Sequence, residues 1–187
     1  MKIARIADDG VIVPRNKIVY KNKNGLAREI HVENSSQWLK AGYLVCSMNL
    51  ETDVIAVQEY LDDIKILFSG MQYKSFRINM YQSPSSVGIP IHFDILNSCI
   101  FQLKGAKKWL VSEAPAFSGL LPANFFPPPD KQIVDYFGTE LHIPSKSELI
   151  EITLEEGDIL RLPAGVWHTT ETVEGSFSSS LTIGLIK

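Results

Sequence analysis

The stretch "IPIHFDILNS", residues 89–98, decides how the rest of this sequence is interpreted. Its apolar residues surround one histidine and one aspartate that stand two positions apart. Successive side chains of a β-strand alternate between its two faces, so His92 and Asp94 share one face and Phe93 takes the other. The pair is either part of a metal site or a hydrogen-bonded polar pair in a core. The tripeptide alone does not separate these two interpretations.

The composition is that of an ordinary globular protein. The chain has 187 residues, of which 45% are hydrophobic and 21% are charged, and this length predicts one domain over residues 1–187. A formal net charge of −3 offers no basic face for a phosphate backbone, so we expect no nucleic-acid partner. Cys46 and Cys99 lack the spacing of a disulfide framework, which predicts a reduced, cytoplasmic setting. The opening "MKIARIADDG" is too short and too charged for a signal peptide, and no apolar run approaches the length of a membrane span, so we expect no membrane partner.

Hydrophobic patterns predict a mainly β fold with one principal helix. Short strands and turns occupy the beginning of the chain, and a helical stripe then runs from Val54 to Phe68. From residue 73 onward most segments alternate as strands, and two of them, joined at Gly105, are expected to form a hairpin. No βαβ rhythm is present, which favours an antiparallel barrel or sandwich. We expect N-terminal strands and the helix over residues 1–72 and the β core over residues 73–187.

A third candidate metal ligand lies in "LPAGVWHTT", residues 162–170. His168 begins a predicted strand there, after a Pro-Ala-Gly turn. Together with His92 and Asp94 it completes the pattern H-x-D…H. Two imidazoles and one carboxylate on one side of a metal form the facial triad of non-haem Fe(II) oxygenases, which leaves positions open for a bidentate 2-oxo acid and for O2.

Lys107 places a cation on the strand that follows Gly105. It shares a face of that strand with Trp109, whereas Lys108 points to the opposite face with Leu110, and alternation does not say which face is inside. A buried lysine needs an anionic partner, and the distal carboxylate of 2-oxoglutarate would supply one. The alternative is that the lysines near this turn form a solvated charged cluster.

Two longer segments carry several motifs in a fixed order: "INMYQSPSSVGIPIHFDILNSCIFQLKGAKKWLV", residues 78–111, and "LEEGDILRLPAGVWHTTETVEGSFSSSLTIGL", residues 154–185. N-x-Y comes first, then H-x-D, then Q-x-x-G-x-K-x-W, and finally G-D-x-L before P-x-G-x-x-H and a closing strand. With this order, the chain from about residue 40 to residue 187 resembles the cupin-type Jumonji-C family of ribosomal oxygenases and their bacterial relatives.

The resemblance implies a double-stranded β-helix, or jelly-roll, that binds Fe(II), 2-oxoglutarate and O2. The metal ligands of the family match His92, Asp94 and His168, and the residue that binds the C5 carboxylate of 2-oxoglutarate matches Lys107. Three further matches are expected in the co-substrate pocket: Asn79 of the N-x-Y motif, and Ser180 or Thr182 of the closing strand. The implied activity is hydroxylation of an amino-acid side chain, at Cβ, in a peptide or protein.

Some features depart from the family pattern. Asn97 stands where an acidic residue is common, and Arg161 replaces a tyrosine. Larger members carry dimerisation and winged-helix regions after the core, whereas this sequence ends at the closing strand. We therefore expect a small peptide or an amino-acid derivative rather than a large ribosomal protein as substrate, and we leave a homodimer open.

Aromatic residues fall into two groups. Those on strands near the expected site are interpreted as core: Phe101, Trp109, Trp167 and Phe177. Those in the long proline-containing segment, residues 113–148, are candidates for a lid or a substrate-binding edge, because loops often carry function: Phe125, Phe126 and Tyr136.

Two rival functions remain open from the sequence. The first is a cupin dioxygenase or isomerase that uses no 2-oxo acid, although such cupins usually show paired histidines with a nearby glutamate. The second is a non-catalytic cupin-like binding module with a vestigial triad, against which the intact triad and Lys107 argue.

Overall fold

The computed structural model describes residues 17–21, 27–30, 35–53, 66, 68–70, 72–117, 124–127, 133–136 and 138–186. The body of the predicted helical stripe, residues 54–65, lies outside the described residues. Two short helices precede it, α1 (Ser35–Lys40) and α2 (Leu50–Asp53). No helix within the described ranges is long and apolar enough to cross a membrane.

Strands account for most of the other described residues, which confirms the mainly β prediction. They are β1 (Lys17–Lys21), β2 (Ala27–Ile30), β3 (Tyr43–Ser47), β4 (Ser75–Ser83), β5 (Asn97–Gly105), β6 (Lys107–Pro115), β7 (Ile133–Tyr136), β8 (Thr139–His142), β9 (Ile150–Leu154), β10 (Ile159–Leu162), β11 (Val166–Thr172) and β12 (Ser178–Ile186). A short 3-10 helix, Lys146–Glu148, precedes β9.

The strands form two main antiparallel sheets and one hairpin. The larger sheet has the order β10-β5-β12-β4-β3-β1-β2, and the smaller sheet has the order β11-β6-β9. Within the described ranges, strands β7 and β8 pair only with each other. Strand β12, the last in the chain, pairs with β4 on one side and with β5 on the other, so it joins two parts of the larger sheet that come earlier in the sequence.

The two faces of the larger sheet differ in chemistry because side chains alternate along each strand. One face packs against Leu50 and Phe68 with apolar side chains: Ile78, Met80, Cys99, Phe101, Leu103, Leu181, Ile183 and Leu185. The other face looks toward the smaller sheet, where Ile100 and Leu162 pack against Trp109 and Val111. Several polar positions of this inner face, including Ser98, Ser180 and Thr182, lie beside the candidate site.

The predicted hairpin across Gly105 is wrong. Strand β5 pairs with β10 and β12, whereas β6 pairs with β11 and β9, so the chain leaves one sheet at Gly105 and enters the other. Gly105 has φ +64°, and a Cβ at this position would lie 1.7 Å from the carbonyl oxygen of Phe177. The glycine therefore allows a close crossing between sheets rather than a tight turn within one sheet.

The four aromatic residues that were expected in the core differ in burial. Phe101, Trp109 and Trp167 are buried, but Phe177 is 36% exposed and is not a core residue. Phe177 lies just before β12, where its backbone packs against Gly105. Phe177 precedes the strand, so the alternation that buries every second side chain of a strand does not apply to it.

Candidate metal centre

Three potential metal ligands from separate parts of the chain lie side by side. One ligand atom each of His92, Asp94 and His168 falls within 4.8 Å of the other two, and in the described part of the chain this is the one such cluster. His168 Nε2 lies 3.8 Å from Asp94 Oδ2. Both imidazoles are buried and the carboxylate is half-buried. The set matches the two histidines and one carboxylate of a facial triad.

The backbone fixes the two histidines opposite each other. The His92 N–H donates to the His168 carbonyl at 2.9 Å, and the His168 N–H donates to the His92 carbonyl at 2.7 Å. The same alignment continues through Ile89 and Thr170, which exchange bonds of 3.1 and 3.0 Å. Gly88 permits this approach, because a Cβ there would lie 1.6 Å from the carbonyl oxygen of Thr170.

Backbone carbonyls also orient each imidazole ring. His92 Nδ1 lies 2.7 Å from the Pro90 carbonyl, and His168 Nδ1 lies 2.9 Å from the Val166 carbonyl. A carbonyl oxygen only accepts, so in both rings Nδ1 carries the proton and donates it. The lone pair of each Nε2 is then free for a metal, as in most histidine-ligated sites.

The turn before β11 is tied to the segment that carries Asp94. The Gly165 N–H donates to the Asp94 carbonyl at 2.8 Å, and the Ala164 N–H donates to Asn97 Oδ1 at 2.9 Å. Asn97, which departs from the acidic residue of the family pattern, therefore acts as an acceptor that positions this turn. Arg161, the other departure, hydrogen-bonds toward Cys99 on the apolar face of the larger sheet, away from the triad.

Burial sets the charge of the three groups. It lowers the pKa of His92 well below its usual value, with a further lowering from His168. Burial also lowers the pKa of His168 and raises the pKa of Asp94, and the attraction between these two opposes both shifts. Neutral imidazoles are the form that binds metals, and the charge of a cation would favour the ionised carboxylate.

Aromatic rings cover both imidazoles. The Phe126 ring stacks on His92 with a centroid distance of 4.4 Å and an interplanar angle of 6°. The Trp109 ring lies 5.7 Å from His168 at 27°. Trp109 Nε1 is buried and has no hydrogen-bond partner among the residues that the structure describes. The ligands thus have apolar walls that limit the access of water.

Lys107 is directed inward, which settles the question that alternation left open. It is 1% exposed, whereas Lys108 is half-exposed and pairs with Glu151 at 3.1 Å. Burial lowers the pKa of Lys107 to about 8, and no hydrogen bond or ion pair joins its ammonium to another described residue. Cys46 is near but neutral, because burial raises the pKa of its thiol to about 12. A buried cation without an anionic partner is costly, so the site is suited to an anion.

One cavity brings the triad and Lys107 together. It encloses about 410 Å³, including space open to solvent. We call it the inner cavity; its polar lining comprises Tyr81, His92, Asp94, Ser98, Lys107, His168, Thr170, Ser180 and Thr182. Ser180 and Thr182 thus line the same cavity as the triad and Lys107.

A larger space adjoins the inner cavity at His92 and Asp94. We call it the outer cleft; it encloses about 1210 Å³, including open solvent, and it shares the His92 and Asp94 wall with the inner cavity. Asn79 lines the outer cleft and not the inner cavity, and its Oδ1 accepts a hydrogen bond from the Asn49 N–H at 3.2 Å. Arg77, Asn124 and Phe126 also line this cleft.

The proline-containing segment contributes to both packing and site. Phe125 packs in a cluster with Phe93 and Trp167, whereas Phe126 lines the outer cleft. The side chain of Tyr136 lies outside the described residues. The sequence interpretation did not single out Tyr81 and Arg77 as site residues, although both lie on the same face of the strand as Asn79. It assigned Trp109 to the core and did not predict that this residue also lines the inner cavity.

Comparisons with known proteins agree with this geometry. The chain is 26% identical over 144 residues to the bifunctional lysine-specific demethylase and histidyl-hydroxylase NO66 of Culex quinquefasciatus, which covers 77% of this chain and 20% of that protein. It is 32% identical over 107 residues to ribosomal oxygenase 2 of Mus musculus, which covers 56% of this chain and 20% of that protein. The chain therefore spans about a fifth of the length of these curated relatives.

Solved structures show the same fold. The structure of YcfD from Escherichia coli matches with a TM-score of 0.63 at 17% identity, over 100% of this chain and 44% of that chain. YcfD, described as a ribosomal oxygenase, has also been solved with cobalt and succinic acid, and this structure matches with a TM-score of 0.60 at 16% identity over 99% of this chain and 42% of that chain. The predicted JmjC/cupin-like fold is confirmed. The sequence model of the family described as "JmjC domain" matches residues 53–187, and the chain therefore belongs to this family.

Proposed function

We propose that this protein is an Fe(II)- and 2-oxoglutarate-dependent oxygenase that hydroxylates an amino-acid side chain in a peptide or protein. One observation carries the proposal. A triad of two imidazoles and one carboxylate borders a cavity that also contains a buried lysine ammonium with no partner among the described residues. The triad suits a metal with open positions, and the ammonium suits an anionic co-substrate.

The donor set fits Fe(II). Neutral Nε2 atoms of His92 and His168 and the carboxylate of Asp94 would hold it, since both Nδ1 atoms are occupied by backbone carbonyls. With 2-oxoglutarate and O2, such a metal supplies oxidative decarboxylation to succinate and CO2, coupled to insertion of one oxygen atom into a C–H bond. The protein contributes the position of the ligands and the exclusion of water.

Lys107 would bind the distal carboxylate of 2-oxoglutarate. The ammonium is buried in the wall of the inner cavity, with Ser180 and Thr182 in the same wall as potential hydroxyl donors. A carboxylate would restore to the ammonium the interactions that burial removed, and charge-assisted hydrogen bonds of this kind are the strong ones. The co-substrate would thus lie between Lys107 and the triad.

The substrate would enter by the outer cleft. Phe126 lines this cleft and stacks on His92, so an incoming side chain would pass over an apolar ring on its way to the metal. The names of the relatives support a protein or peptide substrate, because NO66 is called a histidyl-hydroxylase and YcfD a ribosomal oxygenase. Cobalt and 2-oxoglutarate bound to YcfD support the choice of metal site and co-substrate.

Anaerobic binding measurements test the proposal against its rivals. Wild-type protein should bind one Mn(II) per chain, and 2-oxoglutarate should bind tightly only to the Mn(II)-loaded form. The His92→Ala variant should bind neither Mn(II) nor 2-oxoglutarate. The control variant Lys108→Ala, which changes the neighbouring half-exposed lysine, should bind both. Metal binding without any effect on 2-oxoglutarate would favour a cupin metalloenzyme of another kind. Failure to bind either would favour a non-catalytic module.

A further inference from the structure

The outer cleft contains a guanidinium that no described side chain neutralises. Arg77 lies on β4 and lines the cleft wall. No hydrogen bond or ion pair joins it to another residue in the described ranges. An arginine presents five donors in a planar fork, a geometry that matches a carboxylate.

Strand geometry places Arg77 on the approach to the metal centre. Side chains alternate along β4, so Arg77 shares the inner face with Asn79 and Tyr81. Across the sheet Asn79 pairs with Thr182 and Arg77 pairs with Gly184. Arg77 is therefore two residues, or about 7 Å, farther out along the strand than Asn79. A group bound by this guanidinium would lie on the solvent side of a target carbon held near the triad.

The rest of the cleft, as far as its residues are described, offers no anionic partner for a cationic side chain. Among its described lining residues the one carboxylate is Asp94, which the metal centre uses. Five further lining residues that the inner cavity does not share are neutral and largely apolar: Met48, Ile95, Leu96, Asn124 and Phe126. A lysine or arginine side chain would face the like charge of Arg77 without any compensating carboxylate.

We propose that Arg77 binds a carboxylate of the substrate, so that the enzyme acts on an acidic amino-acid residue or on a residue next to a free α-carboxylate. This inference rests on the proposed function and specifies its substrate class. Arg77 sets the charge preference, and Phe126 provides an apolar surface beside it. The two sources of a carboxylate, an Asp or Glu side chain and a chain terminus, present the same group to the guanidinium.

A peptide library provides the test. Fe(II)-loaded protein with 2-oxoglutarate in air would be incubated with short peptides that vary one central residue among Asp, Glu, Asn, Gln, Lys and Arg, each with a free or an amidated C-terminus. Products that have gained one oxygen atom would be counted by mass spectrometry. Consumption of 2-oxoglutarate without peptide, measured on the same wild-type sample, reports the proposed function separately from the peptide preference.

Three variants give the expected contrasts. Wild-type protein should favour acidic peptides, or peptides with a free C-terminus, by about fivefold or more over Lys and Arg peptides. Arg77→Gln should abolish this preference and Arg77→Glu should invert it. The matched control is Lys74→Gln, which removes the same charge from an exposed residue just before β4, outside the cleft, and should keep the wild-type preference.

Specific outcomes overturn the inference. Equal or greater yield from Lys and Arg peptides would do so, as would the absence of any product from carboxylate-bearing peptides while 2-oxoglutarate is consumed. A rise in the KM for 2-oxoglutarate in Arg77→Gln, with unchanged peptide preference, would assign the guanidinium to the co-substrate instead. Preference for a free C-terminus alone would identify the α-carboxylate as the source, and preference for Asp or Glu with an amidated terminus would identify the side chain.

Discussion

Replacement of Lys107 by methionine should change the stability of the ligand-free protein and the affinity for 2-oxoglutarate in opposite directions. Methionine fills a similar volume and carries no charge. In the ligand-free protein the ammonium is 1% exposed and has no partner among the described residues, so its removal relieves an uncompensated charge. We expect Lys107→Met to raise the free energy of unfolding by about 2 kcal/mol.

The same substitution should weaken the binding of 2-oxoglutarate. Without Lys107, the distal carboxylate of the co-substrate would enter the inner cavity unpaired. Truncation of one partner of a buried charge pair costs about 2–5 kcal/mol, and about 3 kcal/mol corresponds to about 100-fold in Kd. Mn(II) affinity should remain within about threefold, because Lys107 belongs to β6 and contributes no atom to the triad.

Two assays measure these effects. Chemical denaturation of the metal-free protein gives the free energy of unfolding, and anaerobic calorimetry of the Mn(II)-loaded protein gives the Kd of 2-oxoglutarate. Lys108→Met is the matched control, since that lysine is half-exposed and pairs with Glu151, and exposed pairs contribute about 0–1 kcal/mol. The reasoning is refuted if Lys107→Met leaves the Kd of 2-oxoglutarate within about threefold of wild type.

Three further changes have expected outcomes. Gly88→Ala should destabilise the protein by about 3 kcal/mol in chemical denaturation, because its Cβ would meet the Thr170 carbonyl oxygen at 1.6 Å; an unchanged midpoint would contradict the close approach. Asn97→Ala should weaken Mn(II) binding by about tenfold, since the turn before His168 loses its bond to Asn97 Oδ1; equal Mn(II) titrations of variant and wild type would contradict this role. The pKa of Lys107 is lowered to about 8 in the folded protein from an unfolded value of about 10.4, so the unfolded state binds more protons between these values. The free energy of unfolding of the ligand-free wild type, relative to that of Lys107→Met, should therefore rise from about pH 8 to about pH 10.4. If this difference stays constant across that range, the lowered pKa of buried Lys107 is contradicted.

Local alternation explains how much of the site could be predicted. Period-two geometry placed His92 and Asp94 on one face, and it left Lys107 or Lys108 as the inward lysine. The choice between the lysines needed the fold, because it depends on which face of β6 meets the larger sheet. The placement of His168 beside His92 depends on backbone pairing between segments far apart in the chain.

The errors have a common origin in non-local pairing. Two strands joined by a glycine looked like a hairpin, yet β5 and β6 enter different sheets, because β10 and β12 occupy both edges of β5. Arg77 carried no local signal of a site, and Phe126 was a candidate only because it lies in a long loop. Arg77 looks like an ordinary exposed residue of a strand, and Phe126 reaches His92 only because the bridge between Phe93 and Phe125 brings its segment there.

The most direct test of the central claim is the fate of 2-oxoglutarate on the Fe(II)-loaded wild-type protein, followed by NMR in air and under nitrogen. The proposed function predicts conversion to succinate that requires both Fe(II) and O2 and that is lost in His168→Ala. Intact 2-oxoglutarate after prolonged incubation in air, with a protein shown to hold one metal ion per chain, would contradict the claim.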